Sequence, residues 1–107
     1  MAANAIFTII QGEQYAVEII IKNNETEITP ENCDDVKIKI GNITKKYSKN
    51  EINYENERWL FPLTQEESLM LKKGRVNIQA QYMVAENVYS TDLYKVQVDL
   101  TTIRETW

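Results

Sequence analysis

The chain has no histidine and only one cysteine, Cys33, among its 107 residues. A catalytic cysteine is usually activated by an imidazole, which this sequence cannot supply. One cysteine also cannot form an internal disulfide, which is typical of a protein made and kept in a reducing compartment. We therefore expect Cys33 to be a buried or half-buried, unreactive thiol.

Motifs that carry chemistry are missing as well. The sequence contains no G-x-S-x-G nucleophile motif, no phosphate-binding glycine loop and no dinucleotide-binding fingerprint. An acidic group, Glu31, Asp34 and Asp35, could suggest a calcium loop, but it lacks the alternating acidic spacing and the distal glutamate of such loops. The sequence therefore predicts a protein that is not an enzyme and that uses no metal and no cofactor.

Long apolar runs and a basic surface are also absent. No stretch approaches the roughly 20 apolar residues that cross a bilayer, and the start lacks the charged region of a signal peptide. The net charge is −4 with both signs interspersed, which argues against nucleic acid as a partner. The densest basic group, Lys45, Lys46 and Lys49, is interpreted as the solvated side of a hairpin. We expect neither membrane insertion nor secretion by signal peptide.

Alternation of apolar and polar residues is what the sequence has instead. Val17, Ile19 and Ile21 share one face of a predicted strand, and the stretch "DVKIKIGNITKKYS" alternates strictly before and after Gly41-Asn42. Alternation with period two indicates half-buried strands, and Gly-Asn is typical of a two-residue hairpin turn. Ile28, within a polar loop, is expected to reach the core.

The stretch "WLFPLTQEESLMLKKG", residues 59–74, changes from strand to helix spacing. Pro62 predicts a strand that lies at an edge or is ending, since proline cannot donate to the ladder. Thr64 and Glu67 have the spacing of a capping box, and Gly74 fits the position just after a helix. We interpret residues 64–72 as a short helical crossover between strands.

About seven short strands and one helical crossover predict an all-β fold, an immunoglobulin-like antiparallel β-sandwich. The chain lacks the cysteine pair of antibody domains. Residues 1–107 are expected to form a single domain, with a short C-terminal tail at 101–107.

Aromatic residues offer two alternatives each. Trp59, Tyr82 and Tyr89, together with Tyr94, could form a platform on which sugar rings stack, or they could be core residues on inward positions. Trp107 and Ile103 could fold back over the edge of the sandwich, or they could dock on another subunit. Both pairs of alternatives stay open at this point.

Four segments in order, "IIQGEQYAVEIII", "EITPENCDDVKIKIG", "WLFPLTQEESLMLKKGRVNIQAQYMV" and "VYSTDLYKVQVDL", resemble one family. It is the N-terminal domain of upper baseplate proteins and related small tail or head structural proteins of phages and prophages of Gram-positive bacteria. The resemblance covers Ile6 to Leu100. It implies a β-sandwich that mounts a receptor-binding or fibre module on the virion. The fibre or stalk that usually follows in that family is not seen up to Trp107, so we expect a stand-alone adaptor. The stretch "KNEINYENERW" is more acidic and polar than the Gly-rich turn that the resemblance implies.

The resulting hypothesis is a non-enzymatic virion structural protein, made in the bacterial host cytoplasm, that docks onto other virion proteins and self-associates into a symmetric assembly. An exposed strand edge could pair with a partner strand, either at the first strand or at the strand that contains Pro62. The residues expected to bind partners are Ala5, Ile6, Phe7, Ile103, Arg104 and Trp107. The alternative is a carbohydrate-binding module that uses Trp59, Tyr82 and Tyr89.

Overall fold

The computed structural model describes residues 2–5, 9–11, 14–71, 74–91 and 94–99. Within these residues there are eleven strand segments and one α-helix, α1 (Gln65–Met70). In chain order the strands are β1 (Ala2–Ala5), β2 (Ile9–Ile10), β3 (Tyr15–Asn23), β4 (Thr26–Glu27), β5 (Asp35–Ile40), β6 (Ile43–Lys46), β7 (Asn53–Glu55), β8 (Arg58–Leu63), β9 (Gly74–Val84), β10 (Asn87–Ser90) and β11 (Tyr94–Asp99). The all-β class predicted from the sequence is confirmed.

The strands form two sheets. The first sheet has the order β1-β3-β8-β7, with β4 beside β3, and the second has the order β2-β11-β9-β5-β6, with β10 beside β9. Neighbouring strands are antiparallel except for β2 and β11, which are parallel. The N-terminal segment therefore contributes one strand to each sheet. The architecture is that of a sandwich, as the sequence predicted.

The core lies between the sheets and follows the period-two pattern. Val17, Ile19 and Ile21 of β3 are at most 1% exposed, and so are the inward residues of β5. Ile28 is 6% exposed, which confirms that this loop residue enters the core. Burying each such aliphatic side chain contributes about 1.5–3 kcal/mol, so this alternating set supplies most of the driving force for folding.

The hairpin of β5 and β6 turns at Gly41 and Asn42, as predicted. Ile40 pairs with Ile43, so the loop has two residues, and Gly41 has φ +60°. The Gly41 N–H donates to the Asn77 carbonyl at 2.9 Å, which ties the turn to β9. A Cβ at Gly41 would lie 3.0 Å from Leu71 Cδ2, so both the φ angle and the close packing favour glycine here.

The helical crossover also agrees with the sequence at its start. Thr64 accepts from the Glu67 N–H at 3.1 Å, and the Glu67 carboxylate accepts from the Thr64 N–H at 2.9 Å, which completes the capping box. The end differs from the prediction. The helix stops at Met70, and Leu71 is extended with φ −71° and ψ 139°.

The prediction that Gly74 directly follows the helix is therefore wrong. Gly74 is the first residue of β9 and has φ +107°. The helix ends early because Leu71 leaves it to reach the core, where its side chain is 2% exposed. The positive φ of Gly74 thus belongs to the entry into a strand.

Pro62 lies where the sequence placed it, near the end of its strand. It pairs with Ala16 of β3 on one side, whereas β7 spans only Arg58 to Leu60 on the other. β8 ends one residue later, at Leu63. Proline has no N–H to donate, and at this position β7 does not pair with β8, so no hydrogen bond to β7 is lost.

Candidate docking surface

β10 forms an open edge of the second sheet. Its four residues, Asn87 to Ser90, are all exposed, with Val88 60% and Tyr89 40% exposed. It pairs with β9, and within the described part of the chain no strand pairs with its other side. None of its residues is charged. Natural proteins usually protect such an edge with charged side chains or proline, so this one is unusually available to another strand.

The two faces of β10 differ. Val88 is opposite Met83, on the outward face of β9, and Ser90 is opposite Gln81, whose Nε2 donates to the Ser90 hydroxyl at 3.0 Å. Tyr89 is opposite Tyr82, and their rings stack with centroids 5.3 Å apart. Each face of β10 therefore has one side-chain contact to β9.

The turn that leads into β10 is strained. Ala85 and Glu86 have φ angles of +49° and +69°, and they are the two central residues between Val84 and Asn87. Positive φ at both positions is typical of a type I′ turn, which favours asparagine and glycine. The Asp34 carboxylate accepts from the Ala85 N–H at 2.8 Å and helps to hold this conformation.

Thr91 fixes the other end of β10. Its N–H donates to the Ala80 carbonyl at 2.8 Å, and its hydroxyl accepts from the Ala80 N–H at 2.9 Å. The Gln79 amide donates to the Thr91 carbonyl at 3.0 Å. Since Thr91 is 3% exposed, it anchors β10 to β9 at the point where the pairing partner of β9 changes to β11.

Among the side chains that the structure describes, three lysines lie on the outward face of the second sheet, Lys37, Lys39 and Lys46, and we call these three the lysine face. Lys37 pairs directly with Lys46 across β5 and β6, and Lys39 is the next outward residue of β5. Like charges opposite each other on a sheet destabilise it by a few tenths of a kcal/mol to about 1 kcal/mol. A depression of about 250 Å³ lies here, lined by Lys37, Lys39, Thr44, Gln79 and Gln81.

Asp35 is the one carboxylate of β5, and most of its hydrogen bonds are to groups other than the lysines of this face. Its oxygens accept from the Val36 N–H at 2.8 Å, the Ser48 N–H at 3.0 Å and the Ser48 hydroxyl at 2.8 Å, whereas Lys46 Nζ is 4.0 Å away. Burial alone would raise the pKa of Asp35, but the Ser48 and Val36 donors outweigh it and lower the pKa. Asp35 thus holds the turn after β6 and offsets the lysine charges only weakly.

Lys45 is on the opposite side of β6 and differs from the solvated lysine that the sequence suggested. Its Nζ donates to the Pro62 carbonyl at 2.6 Å and to the Glu67 carboxylate at 2.9 Å, and it lies 5.3 Å from the centroid of the Phe61 ring. Only 13% of its side chain is exposed. The interpretation of Lys45 as a solvated residue is therefore wrong, because this cation joins the two sheets.

A second depression, of about 400 Å³, lies at the end of the sandwich beside Tyr89. It is lined by Asn23, Asn24, Thr26, Ile28, Asn32, Tyr82, Val84 and Tyr89. Amides beside aromatic rings are a suitable chemistry for sugar hydroxyls and pyranose faces. Asn32 is held in place, since its Nδ2 donates to the Glu27 carbonyl and its Oδ1 accepts from the Thr29 N–H, both at 2.8 Å.

The proposed sugar platform needs a correction at two of its three residues. Trp59 is 1% exposed, its indole N–H donates to the Ile28 carbonyl at 2.8 Å, and its ring contacts Tyr47 and Tyr54 edge-on. Tyr82 is 3% exposed. Both face inward on alternating strands, so they cannot present a ring to a sugar. Tyr89 alone of the three is exposed.

Most of the residues expected to bind partners lie outside the described residues. These are Ile6, Phe7, Ile103, Arg104 and Trp107. Ala5 is the last residue of β1, where it pairs with Ile19 of β3. The structure does bring β1 to an edge of the first sheet, which is the position that strand pairing would require.

Cys33 has the bland environment that the sequence suggested. It is half-buried, and its Sγ donates to the Thr29 carbonyl at 3.1 Å. Burial, together with the carboxylates of Asp34 and Asp35, raises the pKa of the thiol to about 11. At neutral pH the thiol is protonated, which is the less nucleophilic form.

Among the described residues, no group of three or more histidine, cysteine, aspartate or glutamate side chains is arranged to hold a metal ion. In the same part of the chain, no helix has the length and apolar character needed to span a membrane. Comparisons with protein-family models, with curated proteins and with solved structures gave no significant match.

Sequence reasoning missed the open edge at β10. The stretch "VYSTDLYKVQVDL" looked like one continuous strand, whereas the structure has β10 and β11 with Thr91 between the two. A usable signal was present in the composition of the two hairpin strands. The four residues after the Ala85-Glu86 turn contain no charge, whereas the four after the Gly41-Asn42 turn end in Lys45 and Lys46.

Proposed function

We propose that this protein is a non-enzymatic structural protein of a phage or prophage particle, an immunoglobulin-like sandwich that docks onto its neighbours. The strand orders support the immunoglobulin-like assignment. In that fold one sheet has the strands A, B, E and D and the other contains G, F, C and C′. Here β1-β3-β8-β7 matches the first set, and β2-β11-β9-β5-β6 matches the second with the N-terminal strand split between the sheets.

The observation that carries the docking function is the edge of β10. Its backbone N–H and C=O groups face outward beside two exposed apolar side chains, with no charge to repel a partner strand. An extended strand of a second copy or of another virion protein would gain main-chain hydrogen bonds there and bury Val88. The particle location and the virion partners rest on the family resemblance described above.

The test replaces Val88 with lysine. A lysine at this position is solvated in the monomer but would be opposite a partner strand in the assembly, so we expect Val88→Lys to abolish self-association and capture of virion proteins. The matched control is Asn53→Lys, an exposed edge residue of β7 in the other sheet. Light scattering over a concentration series, with thermal unfolding as a folding check, gives the readout. A wild-type protein that stays monomeric and captures no virion component refutes the proposal.

The depression beside Tyr89 supports a second candidate function, carbohydrate binding. The exposed Tyr89 ring and the amides of Asn23 and Asn24 would provide stacking and hydrogen bonds. We expect Tyr89→Ala to remove glycan-array signal, and Val88→Ala, one residue away on the other face of β10, to keep it. Equal binding by both variants, or none by the wild type, excludes this function.

A further inference from the structure

Within the part of the chain that the structure describes, Lys37 and Lys39 of the lysine face have no acidic side chain paired with them. Lys37 and Lys39 are exposed, and the outward neighbours contributed by β9, which are Asn77, Gln79 and Gln81, are all neutral. Asp35 is engaged by Ser48 and Val36. The protein as a whole is acidic, with a net charge of −4. Lys46 is 4.0 Å from Asp35, but Lys37 and Lys39 have no ion pair among the described residues, and two such cations on an acidic protein favour an anionic partner for this face.

The same molecule presents an acidic surface elsewhere. Four exposed glutamates lie in separate connections between strands, and we call this set the acidic end. They are Glu25 in the β3–β4 turn, Glu31 in the β4–β5 loop, Glu57 in the β7–β8 turn and Glu86 in the β9–β10 turn. The hydrogen bond from Ala85 to Asp34 joins the β4–β5 loop to the β9–β10 turn.

Two members of the acidic end, Glu31 and Glu57, act on the Tyr54 hydroxyl together with Glu27 of β4. Burial is the largest cause that raises the pKa of the Tyr54 hydroxyl, and the charges of Glu27, Glu57 and Glu31 raise it further against the opposing effect of Arg58. The hydrogen bonds from Asn32 Nδ2 to the Glu27 carbonyl and from the Trp59 indole to the Ile28 carbonyl also tie the β4–β5 loop to β4 and to β8, so these carboxylates share one end of the sandwich.

We propose that the lysine face of one copy binds the acidic end of a second copy. This inference rests on the proposed function, because it names a second copy as the partner and adds a second pair of contact surfaces to the edge of β10. The surfaces are different patches of the same chain, so the contact is heterologous, and repetition of it builds a ring or an open filament. Nucleic acid is a poorer partner for this face, because the overall charge is negative and the described lysines are few.

The charge pattern also explains why a second copy fits better than a face-to-face dimer. Two lysine faces or two acidic ends would bring like charges together, which opposes association. One lysine face against one acidic end pairs opposite charges and leaves a free lysine face and a free acidic end for further copies. The contact should weaken with salt, since raising the ionic strength from about 0.1 M to about 1 M shortens the screening length from about 10 Å to about 3 Å.

The experiment uses two charge-reversed full-length chains. The first is Lys37→Glu/Lys39→Glu, which removes the lysine face, and the second is Glu25→Lys/Glu31→Lys, which removes the acidic end. All four residues are exposed, so both variants should keep the thermal stability of the wild type. In the first variant both surfaces are acidic, and in the second both are basic, so copies of one variant repel each other. We therefore expect each variant alone to be monomeric at a concentration where the wild type associates.

An equal mixture of the two variants decides the pairing. The first variant keeps its acidic end and the second keeps its lysine face, and the reversed patches also complement each other, so the mixture should associate again. The control Lys49→Glu changes an exposed lysine outside the lysine face and should associate like the wild type. Sedimentation velocity or light scattering measures the mass in each case.

The outcomes separate this inference from the proposed function. Variants that associate like the wild type overturn the pairing of these two surfaces and leave assembly through β10 standing. Monomeric variants whose mixture stays monomeric also overturn the pairing, and they show in addition that β10 alone does not hold the copies together. A wild-type protein that is monomeric at all concentrations overturns both. Association of the mixture, lost at high salt, supports the inference.

Discussion

Among the described residues, two strands of the second sheet, β6 and β10, are each paired on one side only, and their side chains make different contacts. At β6, Lys45 reaches across to the Pro62 carbonyl and the Glu67 carboxylate and lies near the Phe61 ring. At β10, Val88 and Tyr89 are exposed, and no residue of the strand is charged. Both edges follow a two-residue turn. We call the β6 side closed, because Lys45 is engaged by contacts within the chain, and the β10 side open, because its exposed side chains can contact a partner.

The difference shows that strand order alone does not determine which edge can dock. Charged side chains protect an edge strand from pairing with another strand, because that pairing would remove water from the charges. Lys45 does more, because its ammonium also fixes the crossover helix through Glu67. Changes near β6 should therefore affect folding, and changes near β10 should affect association.

The largest expected effect is on the closed side, at Leu71. Its side chain is buried and packs beside the Gly41 turn, so Leu71→Ala should leave a cavity and lower the free energy of unfolding by about 2–5 kcal/mol. The neighbouring Met70→Ala is the control, because Met70 is 63% exposed and its change should stay within about 0.5 kcal/mol. Urea unfolding measures both. Equal effects would mean that the crossover is not anchored through Leu71.

Lys45 and Lys37 provide the next comparison. Replacing Lys45 with methionine removes its bonds to Glu67 and Pro62 and should cost about 1 kcal/mol, since these groups are only partly exposed. Lys37→Met removes a cation that is opposite Lys46, so stability should stay the same or rise slightly. The measurement is the urea midpoint at constant slope. A larger loss for Lys37→Met would reverse the assignment of closed and open regions.

Acidic pH should lower the stability that the Glu67 carboxylate gives to the closed side. Burial would raise the pKa of Glu67, but the Thr64 N–H and the Lys45 ammonium hold its pKa below the ordinary 4.5. A carboxyl with a depressed folded-state pKa contributes stability that is complete above its unfolded pKa and is lost as the pH falls through the folded value. Stability should therefore decline below about pH 4.5.

The variant Glu67→Gln tests the source of this acid dependence. It should be less stable than the wild type at pH 7, and the difference should shrink as the pH falls below 4.5. Thermal unfolding from pH 7 down to the acid limit of reversibility gives the two curves. Parallel curves would assign the acid loss to other carboxyls, with Asp35 the next candidate because its pKa is also lowered.

The smallest effect is expected on the open side, at Glu86. Its φ of +69° is unfavourable for a residue with a Cβ, so Glu86→Gly should stabilise the fold by about 1 kcal/mol or less, after the entropy cost of glycine. Glu55→Gly, at a strand position of β7, is the control and should destabilise by about 0.5–1 kcal/mol. The same sign for both would show that the turn is not strained.

Much of the fold could be predicted from the sequence because alternation has a direct physical cause. Val36, Ile38 and Ile40 point inward with lysines between them, and the Gly41 turn follows from the φ angle that only glycine adopts without cost. Thr64 and Glu67 are local partners, three residues apart, so the capping box could be read from their spacing.

The contacts that distinguish the two edges could not be predicted in this way. Lys45 and Glu67 are 22 residues apart, and Thr91 pairs with Ala80 across a turn that lacks glycine. Trp59 was ambiguous, since an aromatic residue on an alternating strand suits both a core and a sugar platform. Such questions depend on which strands become neighbours, and that information is non-local.

The environment of Cys33 has a practical consequence. It is the only cysteine in the chain, and its Sγ is bonded to the Thr29 carbonyl. A maleimide or disulfide reagent should react slowly with this thiol, because its pKa is raised to about 11 and its hydrogen bond to Thr29 must be broken. The rate at which Cys33 is labelled in the unmodified protein therefore reports how readily this loop opens. Because the same loop carries Glu31, binding of a partner at the acidic end should lower the labelling rate.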